Sequence, residues 1–220
     1  MIRRVISPCQ HSNHVERVIR LYLSFIAMVA GFFAMETRGV ERPQPQHHFL
    51  FIVDSSESMA LHRAAAIKLV RDVITSRFDG QIESGDSIDI WTYDAENNLR
   101  GFPPQIWRQA DSLRITGTAA EYLEEYPLEG KADFSKVASD LSMLISQAES
   151  LLIVIVTDGE VPFSGFHLDL EINGYLAKKE RLGPGKEPFL VSLGAIEGKI
   201  RTWAGYFGGG ELGLATLAWR

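Results

Sequence analysis

Three oxygen-bearing side chains, Asp54, Ser56 and Ser58, stand at alternate positions directly after the apolar run Phe49-Leu-Phe-Ile-Val53. An acid and two spaced hydroxyls on one tight loop form a set of hard ligands. Such a set suits a small divalent cation. A second acid, Asp158, follows another apolar run, Leu151 to Val156, within Thr157-Asp158-Gly159-Glu160. The two acids can share one ion only if the fold brings their strand ends together. In open α/β sheets ligands gather beyond the carboxyl ends of strands, at the point where strand order reverses. Asp54 and Asp158 therefore meet if their strands are neighbours there. Serine ligands are neutral, so a cation held by Asp54, Ser56, Ser58 and Asp158 retains attraction for an incoming carboxylate.

The elements needed to carry these loops are legible in the hydrophobic pattern. Phe49 to Val53 reads as a strand, and Met59 to Ser76 as a helix with Ala66, Ile67, Val70, Val73 and Ile74 on one face, ended by Phe78-Asp79-Gly80. Gly85-Asp86 opens a strand over Ser87 to Tyr93. Thr118 to Tyr126 reads as a helix stopped by Pro127, and the segment around Pro103-Pro104 as loop. Asp133 to Ser146 places Phe134, Val137, Ala138, Leu141, Leu144 and Ile145 on one stripe, and Leu151 to Val156 follows as a central strand. A helix within Leu168 to Leu182, stopped by Gly183-Pro184-Gly185, and a strand over Phe189 to Leu193 complete the series. Near-continuous apolar strands alternating with helices predict an α/β domain: a mostly parallel, Rossmann-like doubly wound sheet with helices on both faces.

The chain has 220 residues, 45% hydrophobic and 23% charged, enough for one domain with a sizeable core. Its formal charge is −6, unevenly placed. Residues 1–42 carry six Arg against three Glu, which leaves −9 for the rest. An acidic body argues against nucleic acid as a partner. Cys9 is the single cysteine, so no internal disulfide can form. It lies with His11 and His14 in the basic leader, where their proximity carries no metal-site pattern.

Residues 1–42 read as a leader. Arg3, Arg4, Arg17 and Arg20 precede an apolar stretch at 21–35, followed by Glu36, Thr37 and Arg38. Basic residues before a short apolar segment are the pattern of an export signal, with Val29-Ala30-Gly31 as the best cleavage site; a retained membrane anchor is the rival. Fifteen residues are short for a spanning helix, which needs about 20. The expected location is therefore periplasmic, extracellular, or tethered to a membrane through 21–35. Prolines at 43 and 45 make 43–46 an extended linker, and the domain is expected over 47–220.

Asp54-x-Ser56-x-Ser58 after one apolar strand and Thr157-Asp158-Gly159 after another, with a helix and Asp133-Phe134 between, resemble the von Willebrand factor A-type domain. The resemblance spans roughly residues 47 to 207. It implies a Rossmann-like fold and a metal-ion-dependent adhesion site, in which magnesium, with manganese or calcium as alternatives, is held by the Asp and two Ser of the first loop, a Thr of the middle loop and the later Asp. It also implies that an Asp or Glu of a partner protein completes the coordination. The chain departs from the pattern at the middle loop. Gly130-Lys131-Ala132 stands where Gly-Gly-Thr is expected, so Ala132 offers no hydroxyl, and Thr118 is a poorer substitute. Lys131 also opposes a nearby cation. A water can replace the missing hydroxyl, because magnesium retains several waters.

Other readings compete. Ser58 can cap a helix and Ser56 can brace the turn with no metal present, which makes a metal-free scaffold domain the main alternative. Glu57 and Glu160 read as solvated rim acids. An enzyme is not expected: GxSxG and GxxxxGK[ST] are absent, and position 56 is serine where a phosphohydrolase of the haloacid dehalogenase type resembles Asp-x-Asp. His62 and His167 could serve such chemistry only by reaching the loop.

Overall fold

The computed structural model describes residues 47–94, 98–99, 101–180 and 188–207, all within the compact unit Gln44–Arg220. The leader 1–42 with its segment 21–35, the linker 43–46, the stop at Gly183-Pro184-Gly185 and the glycines 208–210 lie outside the described residues. Among those described, no helix is long and apolar enough to cross a membrane.

The chain builds a mixed α/β sheet. Strand β1 (His48–Asp54) is flanked by two parallel neighbours, β2 (Ser87–Tyr93) and β5 (Ser150–Thr157). Short strands β3 (Asn98–Leu99) and β4 (Gln105–Ile106) run antiparallel on the outer side of β2. On the far side, β6 (Phe189–Ile196) pairs antiparallel with β5, and β7 (Lys199–Phe207) antiparallel with β6. The order is β3-β2-β1-β5-β6-β7 with β4 beside β2. The expectation of a mostly parallel sheet is thus corrected. β6 is buried on both faces along nearly its whole length, so its apolar pattern is the same whichever way it runs. Its direction is set by the chain re-entering at the end of β5, where Phe189 pairs with Thr157.

β7 was not legible from the sequence. It is made by a hairpin whose two-residue turn, Glu197-Gly198, has φ of 50° and 74°. Two positive φ values match the right-handed twist of the flanking strands. A Cβ on Gly198 would stand 2.9 Å from the Ser146 carbonyl oxygen, so this position needs glycine for space as well.

Helices α1 (Arg63–Thr75), α2 (Ser112–Glu125), α3 (Ser135–Gln147) and α4 (Asp169–Glu180) cover the sheet. Alternation along β1 divides its residues between two cores. Phe49, Phe51 and Val53 pack with Val70 and Ile74 of α1 and Ile115 and Ala119 of α2. Leu50 and Ile52 pack with Val137 and Leu141 of α3 and Ile172 of α4. Two boundaries differ from the sequence reading. The helix expected from Met59 starts as a 3-10 turn, Glu57–Leu61, and becomes α-helical only after His62. The helix expected from Thr118 begins at Ser112, because burial of Ile115, Ala119 and Leu123 outweighs the weak propensity of Thr116-Gly117-Thr118.

The amino ends of the parallel strands are pinned by side chains. His47 donates its backbone N–H to Asp86 Oδ1 at 3.1 Å, and its Nδ1 lies 2.7 Å from Ser150 Oγ. His48 Nε2 lies 4.0 Å from Asp89 Oδ2, a carboxylate that also accepts from the Trp91 indole. Burial pushes the His48 imidazole below its ordinary value, and Asp89 pulls it partly back. The unfolded chain then holds the His48 proton more tightly than the fold does. Stability present above the ordinary imidazole value of 6.5 should be lost as pH falls from there through the lowered value. His48→Gln should flatten that part of the acid limb in urea melts between neutral and mildly acidic pH. An unchanged slope would remove His48 as its source.

Candidate functional site

Three parallel strands end together, and their last inward-facing residues form a row. Tyr93 is the register partner of Asp54 on β1, and Ile52 pairs with Ile155 on β5, which sets Asp54 beside Thr157. The period of two places all three on the α3 side of the sheet. Thr157 Oγ1 donates to Asp54 Oδ2 at 2.8 Å. Tyr93 is fully buried, with its hydroxyl in hydrogen-bonding reach of Asp54 and Thr157; burial and the charges of Asp54 and Asp158 push the phenol well above its ordinary value.

The first loop closes on the same carboxylate. Ser56 donates to Asp54 Oδ1 twice, from its backbone N–H at 2.9 Å and from Oγ at 2.6 Å. Ser58 Oγ lies 3.0 Å from Ser56 Oγ. The alternate spacing that selects these residues in the sequence therefore brings three side-chain oxygens into one chain of hydrogen bonds. The loop does not reach this shape alone. Ser55 is tied to the Tyr93 carbonyl through both N–H and Oγ, and the middle loop docks on it through Glu129 N–H to Ser55 O and Glu57 N–H to Gly130 O.

Asp158 is buried at 6% exposure, and its Oδ1 accepts the Glu160 N–H at 2.9 Å. Gly159 makes the turn with φ of 73°, and a Cβ there would meet Leu176 Cδ2 at 2.7 Å. Its N–H donates to Thr157 Oγ1. Burial raises the Asp54 carboxyl above its ordinary value, against the lowering effect of its bonds to Ser56 and Thr157, and the Asp158 charge raises it further. Two buried acids at the ends of neighbouring strands thus repel each other. The strand order reverses between them, since β2 lies on one side of β1 and β5 on the other.

The remaining sequence candidates fall as follows. Glu57 and Glu160 are exposed rim residues. Ala132 packs against the core beside α3 and presents no oxygen, and Lys131 beside it is exposed. Thr118 sits on the exposed side of α2 about two turns before its end, which removes it as a replacement ligand. His62 is the residue before α1 and His167 is exposed and stacks on Phe166. Tyr93 and Thr157 were missed as members of the site. Their signal was available in principle, as the same-face residues opposite Asp54 on neighbouring strands, but it requires knowing the register.

Among the described residues no group of three or more His, Cys, Asp or Glu is arranged to hold a metal ion. A cation here would depend on two carboxylates and the Ser56 and Ser58 hydroxyls. That set fits a hard divalent ion in its chemistry: every donor is oxygen, and a positive charge relieves the repulsion that raises Asp54. Comparison with protein-family models finds no match, and no curated protein matches the chain.

Proposed function

We propose that the chain is a protein-binding module of the von Willebrand factor A type, which captures an Asp or Glu of a partner protein through a divalent cation at Asp54, Ser56, Ser58 and Asp158. The observation that supports it most is the gathering of both acids and both hydroxyls at the strand ends where sheet order reverses. Asp54 and Asp158 would supply the charge that retains the ion, and Ser56 and Ser58 neutral oxygens that leave it under-neutralised. Ser56 Oγ gives its hydrogen to Asp54 and so accepts from Ser58 Oγ, which leaves one of its two lone pairs open to a cation. The bound ion would supply a Lewis-acidic point of attachment for a carboxylate. The doubly wound arrangement of that family belongs to the same proposal, for the β2-β1-β5 part of the sheet; the antiparallel β6 and β7 depart from it. A basic leader with an apolar segment at 21–35 fits a protein that meets its partner outside the cytoplasm or at a membrane.

Two observations favour a second reading, a metal-free scaffold of the same fold. Asp54 already accepts three hydrogen bonds from Ser56 and Thr157, and the middle loop lacks a hydroxyl at Ala132. Calorimetric titration with magnesium and manganese separates the two. The adhesion reading expects binding heat and a metal-dependent rise in melting temperature that a chelator reverses. Neither heat nor stabilisation from either ion leaves the scaffold.

A further inference from the structure

We propose that the groove along the outer side of α1 is a second docking subsite, shaped for an acidic, extended segment of the partner whose carboxylate binds the loop edge. The inference rests on the reading of that edge as an adhesion surface and adds the partner's chemistry. The groove has a volume of about 460 Å³. Its floor is Ala60, Ala64 and Ile67, and its charged lining is Arg63, Lys68 and Arg71 with Glu124 as the one acid. Spacings of three, four and seven residues put these on one helical face. Ala60 belongs to the 3-10 turn that follows the Ser56-Ser58 loop, so the near end of the groove lies two residues along the chain from Ser58.

The charges suit a carboxylate-rich segment. Arg63 is held in place by donating to the carbonyls of Leu123, Glu124 and Tyr126, which end α2. Its cation is therefore fixed at the loop end of the groove. Lys68 pairs with Asp72 on the exposed face. Arg71 is exposed and has no ion pair among the described residues. From Arg63 to Arg71 the helix rises about 12 Å, the length of roughly four extended residues.

A cationic stripe on a body of net negative charge discriminates by size. A short acidic peptide senses mainly charges within a screening length of about 10 Å, where Arg63, Lys68 and Arg71 outnumber Glu124 and Asp72. A long polyanion such as nucleic acid also meets the acidic surface around it and is repelled.

The test uses a fluorescently labelled hexaglutamate peptide and the full chain, followed by anisotropy at low salt with magnesium or with EDTA. Wild-type protein should bind in both conditions, and more tightly with magnesium. The double variant Lys68→Glu, Arg71→Glu should lose roughly tenfold in affinity in EDTA as well as in magnesium. Lys136→Glu, an exposed change on α3, should leave affinity unchanged, and melting curves should show all variants folded. Three results would overturn the groove: no peptide binding by wild type, equal binding by the double variant, or tighter binding of a thymidine oligonucleotide of equal charge. The cation reading is read out separately. If magnesium and Asp158→Ala change nothing while the double variant fails to bind, the groove stands and the metal site falls.

Discussion

Asp54→Asn should abolish the magnesium response and yet melt at a higher temperature than wild type when no metal is present. The carboxylate is 1% exposed, and its burial disfavours the charged form. With its proton-binding strength raised by the fold, the ionised side chain costs stability at pH values above that raised value; the cost disappears as pH falls below the ordinary carboxylate range. An amide removes it at neutral pH. Its oxygen can still accept from Ser56 N–H and Oγ, and its NH2 can donate to Thr157 Oγ1, whose hydroxyl turns from donor to acceptor. Loss of one of two acids should weaken magnesium by roughly 100-fold or more, since even residues that only orient metal ligands cost 10–100-fold. The measurements are thermal melts across pH with and without magnesium, and titration calorimetry. The gap in melting temperature between variant and wild type should narrow on acidification. A variant that melts lower than wild type without metal, or that binds magnesium equally well, contradicts the account of this carboxylate.

Phe134→Ala should cost about 3–5 kcal/mol, a large share of the roughly 5–15 kcal/mol that stabilises a domain. The ring is 3% exposed and lies 4.4 Å from Phe163, 5.6 Å from Tyr93 and 6.1 Å from Phe166, centre to centre. Phe163 and Phe166 belong to the loop that follows Asp158, while Tyr93 underlies Asp54. One ring thus joins the two halves of the site from below, and its removal leaves a void that three aromatic rings cannot easily close. Denaturant melts should show a lowered midpoint with an unchanged slope. A loss below about 1 kcal/mol would mean that the loop after Asp158 is held by something else.

Much of this organisation was legible from residue order. The strands at 49–53 and 151–156 were found because their cores are long apolar runs, the strand at 87–93 because Gly85-Asp86 opens it, and two helices from stripes spaced for one buried face. The acids at strand ends and the alternate serines also stood out, since polar oxygens that interrupt apolar runs are local signals. Other features were not local. α2 was read six residues short, because Thr and Gly obscure a helix that tertiary burial enforces. β7 was missed, because a partly exposed edge strand has little apolar pattern and owes its place to a positive-φ turn.

Sequence alone determined that buried strands end in Asp54 and Asp158 and that two serines follow the first at the right spacing, since these depend on residue type and on periods of two and 3.6. Tertiary structure alone decided that Tyr93 and Thr157 join Asp54 in one row, that Ala132 turns to the core, and that β6 runs antiparallel. Register and strand direction arise from pairing between segments far apart in the chain. An apolar strand buried on both faces satisfies the same hydrophobic demand in either direction, so its own residues cannot choose.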